Sequence, residues 1–333
     1  MVKLTAISSR AWEHPADRAA LQALRALPGF DEAVRRAMGF LGERGVRQLF
    51  LGNAVRVGPQ QRPRLHALYS EVLDTLDAPD RWELYVTQTP LANATAVGFE
   101  RPFIVFNSGM LEILDEDERR AVLAHEVGHI MSGHPTYTTL AVILLAIGVT
   151  NIPALANLAL LPFELALLEW YRKSEFSADR AALLGTQDVR KAQGVNLKLA
   201  GGPVLDDPID LDAFLEQARE YETMVGPWDK VWQLINTAFR THPMATVRAG
   251  ELQRWIDAGE YQRILDGAYP RRGEQPPPLS DDIQAAGGYY EERARDAMNT
   301  VGDMVNRARD AFKDAWKGAP PAPPPPDTGT PTQ

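Results

Sequence analysis

The segment AVLAHEVGHIMSGH, Ala121 to His134, carries three of the chain's six histidines within ten residues. Four residues turn an α-helix by about 400°, which leaves His125 and His129 only about 40° apart and one turn up. Both imidazoles then reach one ion, and zinc is the ion that HExxH on a helix suits. Glu126 is offset by about 100°. That puts it beside the metal rather than on it, where it can take a proton from a water that zinc has acidified. Gly128 is expected to keep the helix slim where substrate passes. The alternative is a chance HExxH on an ordinary amphipathic helix. A buried histidine pair facing inward with Leu123 and Val127 needs a partner, however, and a metal is the natural one.

Cysteine is absent, so disulfides and thiolate ligands are excluded and any metal is held by histidine and carboxylate. A net charge of −9, from 44 acidic against 35 basic residues, argues against a nucleic-acid surface. The opening stretch MVKLTAISSRAWEHPADRAALQALRAL has charge every few residues and no signal-type apolar core, so export by the usual route is not expected. The expected location is cytoplasmic, free or at a membrane surface.

Residues 17–78 read as mostly helical, WELYVTQTP (82–90) as a strand, and PFIVFNSGML (102–111) as a strand turning into a helix. DEDERRAVLAHEVGHIMSGH (115–134) reads as one helix with acids in its first turn. Further helices are expected at 169–184, stopped by Gly185, and at 188–200, 210–225, 244–257 and 281–316. The fold class is mostly α (α+β). The layout is a helical region over 1–80, a core over 81–270, a linker at 271–280, a helix at 281–317 and a disordered Pro-rich tail at 318–333. The run TTLAVILLAIGV (138–149) and the apolar window 152–168 are each too short for the ~20 residues that span a bilayer. They read first as a buried hydrophobic helix hairpin. Peripheral membrane contact through 138–168 is the second reading.

His134 lies five residues past His129, about 140° round the helix, and cannot face the same ion while the helix continues. It is expected to be a helix C-terminal residue favoured by the dipole. Glu164, Glu169 and Glu175 are candidates for the third ligand. Glu175 is preferred, because Asp179 follows on the same face: one carboxylate can bind zinc while the other holds a ligand histidine by its second nitrogen.

The stretches LDEDERRAVLAHEVGHIMSGH, EWYRKSEFSADRAAL and THPMATVRAGEL, in that order, resemble the HtpX-like zinc metallopeptidases, a family that includes the CAAX prenyl endopeptidases. The resemblance runs from about Trp82 to Leu265. It implies a gluzincin fold with a small sheet beside the active-site helix. It implies one Zn2+ per chain on His125, His129 and Glu175, with Glu126 as base and Asp179 behind the site. It also implies His242 as oxyanion donor, Arg248 as a supporting residue, and substrate added to an edge strand at PLANATAVGFERPFIVF. Asn93 and Ala94 match the start of that motif, whereas Thr95 stands where an aromatic is usual. Many family members have clear spanning helices; this chain has no N-terminal one.

The expected activity is zinc-dependent endopeptidase hydrolysis of a polypeptide, in protein quality control. The rivals are a zinc-stabilised scaffold without catalysis and a chaperone-like binder recruiting partners through the hairpin or the PPAPPPP tail. The N-terminal helices show no chemistry in the sequence. His14 and His66 read as ordinary residues, and Trp228, Trp232 and Phe239 as core.

Overall fold

The computed structural model describes residues 1–25, 30–148, 154–203, 207–223 and 244–274. The expectations for His242, for Trp228, Trp232 and Phe239, for the 281–316 helix and for the tail all fall outside these residues. The described elements are α1 (Pro15–Arg25), α2 (Phe30–Leu51), β1 (Ala54–Arg56), α3 (Pro63–Thr75), β2 (Glu83–Thr87), β3 (Ala94–Val97) and β4 (Phe103–Asn107). They continue with α4 (Ser108–Ile113), α5 (Glu116–Met131), α6 (Pro135–Gly148), α7 (Ala154–Thr186), α8 (Val189–Gly201), α9 (Leu211–Thr223), α10 (Ala245–Asp257) and α11 (Glu260–Leu265). The architecture is mostly helical with one small sheet.

The sheet has strand order β1-β2-β4-β3. β2 and β4 run parallel, with Leu84 opposite Ile104 and Val86 opposite Phe106. β1 and β3 are antiparallel to their neighbours. ELYVT and FIVFN are almost wholly apolar because both of their faces are covered, as expected of the parallel pair at a sheet centre. Leu84, Val86, Ile104 and Phe106 join the main core with α3, α5 and α7. Tyr85, Phe103 and Val105 point the other way and pack on Val46 of α2. The 17–78 region is therefore not wholly helical: β1 interrupts it, and α2 itself is broken at Gly42, whose φ is +59°.

α5 starts at a capping box in which the Asp115 side chain accepts from the Glu118 N–H and the Glu118 side chain from the Asp115 N–H. Its three acidic first-turn residues, Glu116, Asp117 and Glu118, suit the positive end of the helix dipole. Every residue from Arg120 to Ile130 is buried, so α5 is a central helix rather than an amphipathic surface one. It ends at Met131, earlier than the sequence reading placed it. Gly133, at φ +73°, reverses the chain after the last turn.

α5 and α7 pack antiparallel at very close range. A Cβ on Gly128 would stand 2.4 Å from Ala181 Cβ, and one on Gly185 2.2 Å from Ala124 Cβ. Gly128 therefore faces α7 and not a substrate path, which corrects the expectation for it. Gly185 likewise serves close packing, in the last turn of α7. α6 packs against α7, which continues unbroken into the segment carrying Glu175. No helix among the described residues is long and apolar enough to cross a membrane.

The N-terminal segment is part of this core. Leu4, Ile7 and Trp12 are fully buried in the main cluster. Arg272 donates to the Ile7 and Asp77 carbonyls and pairs with the Asp77 carboxylate, so the chain at 271–274 is pinned to residues 5–8 and 77.

Candidate metal centre and active site

α5 presents His125 and His129 to α7, and α7 answers with Glu175. The Nε2 atoms of the two histidines lie 3.1 Å apart. Glu175 places Oε2 3.5 Å from His125 Nε2 and Oε1 3.4 Å from His129 Nε2. Among the described residues these three form the group that could hold a metal ion, and all three are buried. Zinc bonds of about 2.0–2.1 Å in a tetrahedron set ligand atoms about 3.3 Å apart. The two imidazole nitrogens stand at about that spacing, each with one oxygen of the Glu175 carboxylate in reach, and one ligand atom from each residue lies within 4.8 Å of the others. Two imidazoles with one carboxylate are a borderline donor set that zinc accepts. The residues fit the ion.

Opposing influences act on the two imidazoles. Burial pushes His125 down, but hydrogen bonds to Asp179 and Glu175 outweigh it and raise its pKa to about 9. Burial pushes His129 down to about 4, helped by the neighbouring His125 and His134 against the pull of Glu175.

Behind His125 stands Asp179, with Oδ1 3.2 Å from His125 Nδ1. Arg248 of α10 grips that carboxylate with two hydrogen bonds, from Nε at 2.8 Å and from Nη2. It also reaches within 3.3 Å of Glu175. Burial would raise the Asp179 carboxyl, but Arg248 and His125 hold it below the usual carboxylate range. Nδ1 of His125 is therefore a donor to Asp179, which leaves Nε2 as the free lone pair.

His134 is placed differently from expectation. It is no terminal residue of α5; its carbonyl accepts from Tyr137 and Thr138 at the front of α6. Its ring turns back under the site, with Nδ1 2.9 Å from Nδ1 of His129. Its Nε2 lies 3.1 Å from Oδ2 of Asp17. Asp17, on α1, also accepts from Trp170 Nε1 at 3.0 Å and from Ser177 Oγ at 2.6 Å. The N-terminal helices therefore do bring a group to the site. His14, expected to be an ordinary residue, is tied to the same network. It is buried, its Nδ1 accepts the Ala16 N–H at the start of α1, and its backbone N–H donates to Ser177 Oγ. His66 is half-buried, with no role in the site.

A cavity of about 730 Å3 opens over the three candidate ligands. Glu126 lines it, 3 % exposed, next to His125 and His129. Ala94, Thr95 and Ala96 line it from β3, at the edge of the sheet, and Asn93 from the residue before that strand. Val122, Val195 and Leu252 supply apolar wall. Tyr171, one turn before Glu175, also faces the cavity; burial, then the Glu175 and Glu126 carboxylates, push its phenol well above the ordinary range. The sequence reading passed over Tyr171, although its place four residues before Glu175 puts both on one helix face.

Comparison with known proteins agrees with this geometry. Residues 59–256 match the model of peptidase family M48. The plastoglobule-localized metallopeptidase 48, chloroplastic, of Arabidopsis thaliana is 37% identical over 264 residues, 77% of this chain and 75% of the relative. A protease HtpX homolog of Helicobacter pylori (strain J99) is 27% identical over 219 residues, 58% of this chain and 67% of the relative. That of Pyrococcus furiosus is 31% identical over 93 residues, 28% of this chain and 32% of the relative. No solved structure matches. With its His–His–Glu cluster on α5 and α7, the chain belongs to peptidase family M48, as an HtpX-like member.

Proposed function

We propose that this protein is a zinc-dependent endopeptidase of gluzincin fold, with His125, His129 and Glu175 as ligands and Glu126 as the general base. The observation that carries the reading is the buried cluster of His125, His129 and Glu175, with one ligand atom of each within 4.8 Å of the others, under a cavity that Glu126 lines. A zinc ion held there supplies Lewis-acid chemistry, polarising the scissile carbonyl and lowering the pKa of a water. Glu126 takes the proton of the attacking water and returns it to the leaving amine. Asp179 and Arg248 keep His125 in the tautomer that leaves its Nε2 free. Asn93 and Ala94 open the segment of β3 along which an extended substrate adds as a further strand, lying across the cavity mouth. His242, outside the described residues, takes the oxyanion role that the resemblance implies. The substrates are unfolded polypeptides, and the biological setting we propose is protein quality control, in the cytoplasm or at a membrane surface.

A scaffold that merely holds zinc would leave Glu126 without a task in a cavity open to substrate. The deciding experiment measures metal content and casein cleavage for the wild type beside Glu126→Gln. One zinc in each, with cleavage in the wild type alone, is the expected result. Cleavage by a zinc-loaded Glu126→Gln protein sinks the mechanism.

A further inference from the structure

His129 has a neighbour that the catalytic reading above does not use. If its Nε2 faces the ion, its Nδ1 carries the proton and must donate. The acceptor in reach is Nδ1 of His134, 2.9 Å away. That bond fixes the tautomer of His134 in turn, because a ring that accepts at Nδ1 carries its proton on Nε2. Its Nε2–H then points at Asp17 Oδ2, 3.1 Å away. Asp17 is locked in place by Trp170 on one oxygen and Ser177 on the other. Ser177 is itself pinned, accepting the His14 N–H at 2.8 Å. His134 and Asp17 are 2 % and 1 % exposed, so water does not compete for these bonds. A buried carboxylate and two buried imidazoles are costly to assemble unless each is satisfied by the next.

We propose that His134 and Asp17 are positioning residues that fix the ring orientation and tautomer of His129 toward the metal. The N-terminal segment thereby completes a site whose other parts lie within the matched residues 59–256. This rests on the reading of His129 as a metal ligand. The two ligand histidines are held unequally: His125 by a carboxylate that an arginine clamps, and His129 through a second histidine to a carboxylate supplied from α1. Partners of this kind typically change metal affinity by about 10–100-fold when removed.

The test uses the full chain. Zinc affinity is measured by competition with a chromophoric chelator for the wild type, His134→Ala, Asp17→Ala, Asp17→Asn and the His134→Ala/Asp17→Ala double variant. Leu4→Ala, in the same N-terminal segment but buried in the main core apart from the relay, controls for simple loosening of that segment. Each single alanine variant is expected to bind zinc about 10–100-fold more weakly. Asp17→Asn, which keeps an acceptor, should lose less. The double variant should be no worse than His134→Ala, because a relay broken once cannot be broken again. Nitrogen-15 histidine spectra of the zinc-loaded protein give a second readout: His134 should hold its Nε2–H tautomer in the wild type and lose it in Asp17→Ala. Affinities within twofold of wild type, additive losses, or an equal loss in Leu4→Ala overturn the proposal. Should His134→Ala fail to fold, Asp17→Ala carries the test through affinity and tautomer together, with Asp17→Asn expected between it and the wild type. A wild type that binds no zinc overturns the metal-site reading itself, which separates the two failures.

Discussion

Gly128 of α5 lies against Ala181 of α7 so closely that a methyl group on it would stand 2.4 Å from the Ala181 Cβ. This contact, with its twin between Ala124 and Gly185, sets the distance between the two helices that carry the candidate ligands. Gly128→Ala should push α7 outward and lengthen the reach from Glu175 to His125 and His129. The fold should lose on the order of 1–3 kcal/mol through overpacking, despite the better helix propensity of alanine. Thermal unfolding and zinc affinity, measured together, should both fall. A more stable Gly128→Ala protein with unchanged zinc affinity would show that the helices have room to spare.

Arg248 and Asp179 form a buried, doubly hydrogen-bonded pair behind His125. Removing one member strands the other as an uncompensated charge, at a cost of about 3–5 kcal/mol. Arg248→Ala should therefore destabilise more than Arg248→Lys, although lysine cannot reproduce the two-pronged grip. Both should lower peptide cleavage. Denaturant midpoints for the two variants give the order, and an equal, small loss would mean that the pair is wet.

Metal removal should act on stability as well as activity. A chelator is expected to abolish cleavage, and zinc to restore it. An ion present at 1,000 times its dissociation constant stabilises the folded state by about 4 kcal/mol. That corresponds to roughly 6 °C in Tm for a chain of this size. Matching melting curves with and without chelator would contradict zinc on His125, His129 and Glu175.

His14 should make stability fall in acid. Burial, aided by Arg180 and Lys173 and opposed by Glu251, lowers its pKa to about 4, against 6.5 for an ordinary histidine. Between those values the unfolded chain binds the proton and the folded one does not. Stability from this group therefore rises with pH across 4 to 6.5 and is level above. The full difference is about 3 kcal/mol. His14→Asn keeps a side-chain acceptor for the Ala16 N–H and should flatten that part of the profile. Parallel wild-type and variant curves from pH 4 to 6.5 would show that His14 titrates normally.

The spacing of residues within one helix was readable from the chain alone. His125, Glu126 and His129 sit on α5 as a 3.6-residue period requires, and Glu175 and Asp179 share a face of α7 for the same reason. The apolar runs of β2 and β4 and the acidic start of α5 were equally legible, because each depends only on near neighbours. Boundaries drifted where a turn decided them, as at Met131 and Gly133. The roles of Asp17, His14 and His134 could not be read, since Asp17 and Ser177 are 160 residues apart and meet only when α1 packs on α7. Gly128 and Gly185 were misread for a related reason: a glycine declares that space is short, but not which neighbour takes it. Helical period is a property of the local backbone, whereas the identity of a facing residue is set by how the helices pack around the core.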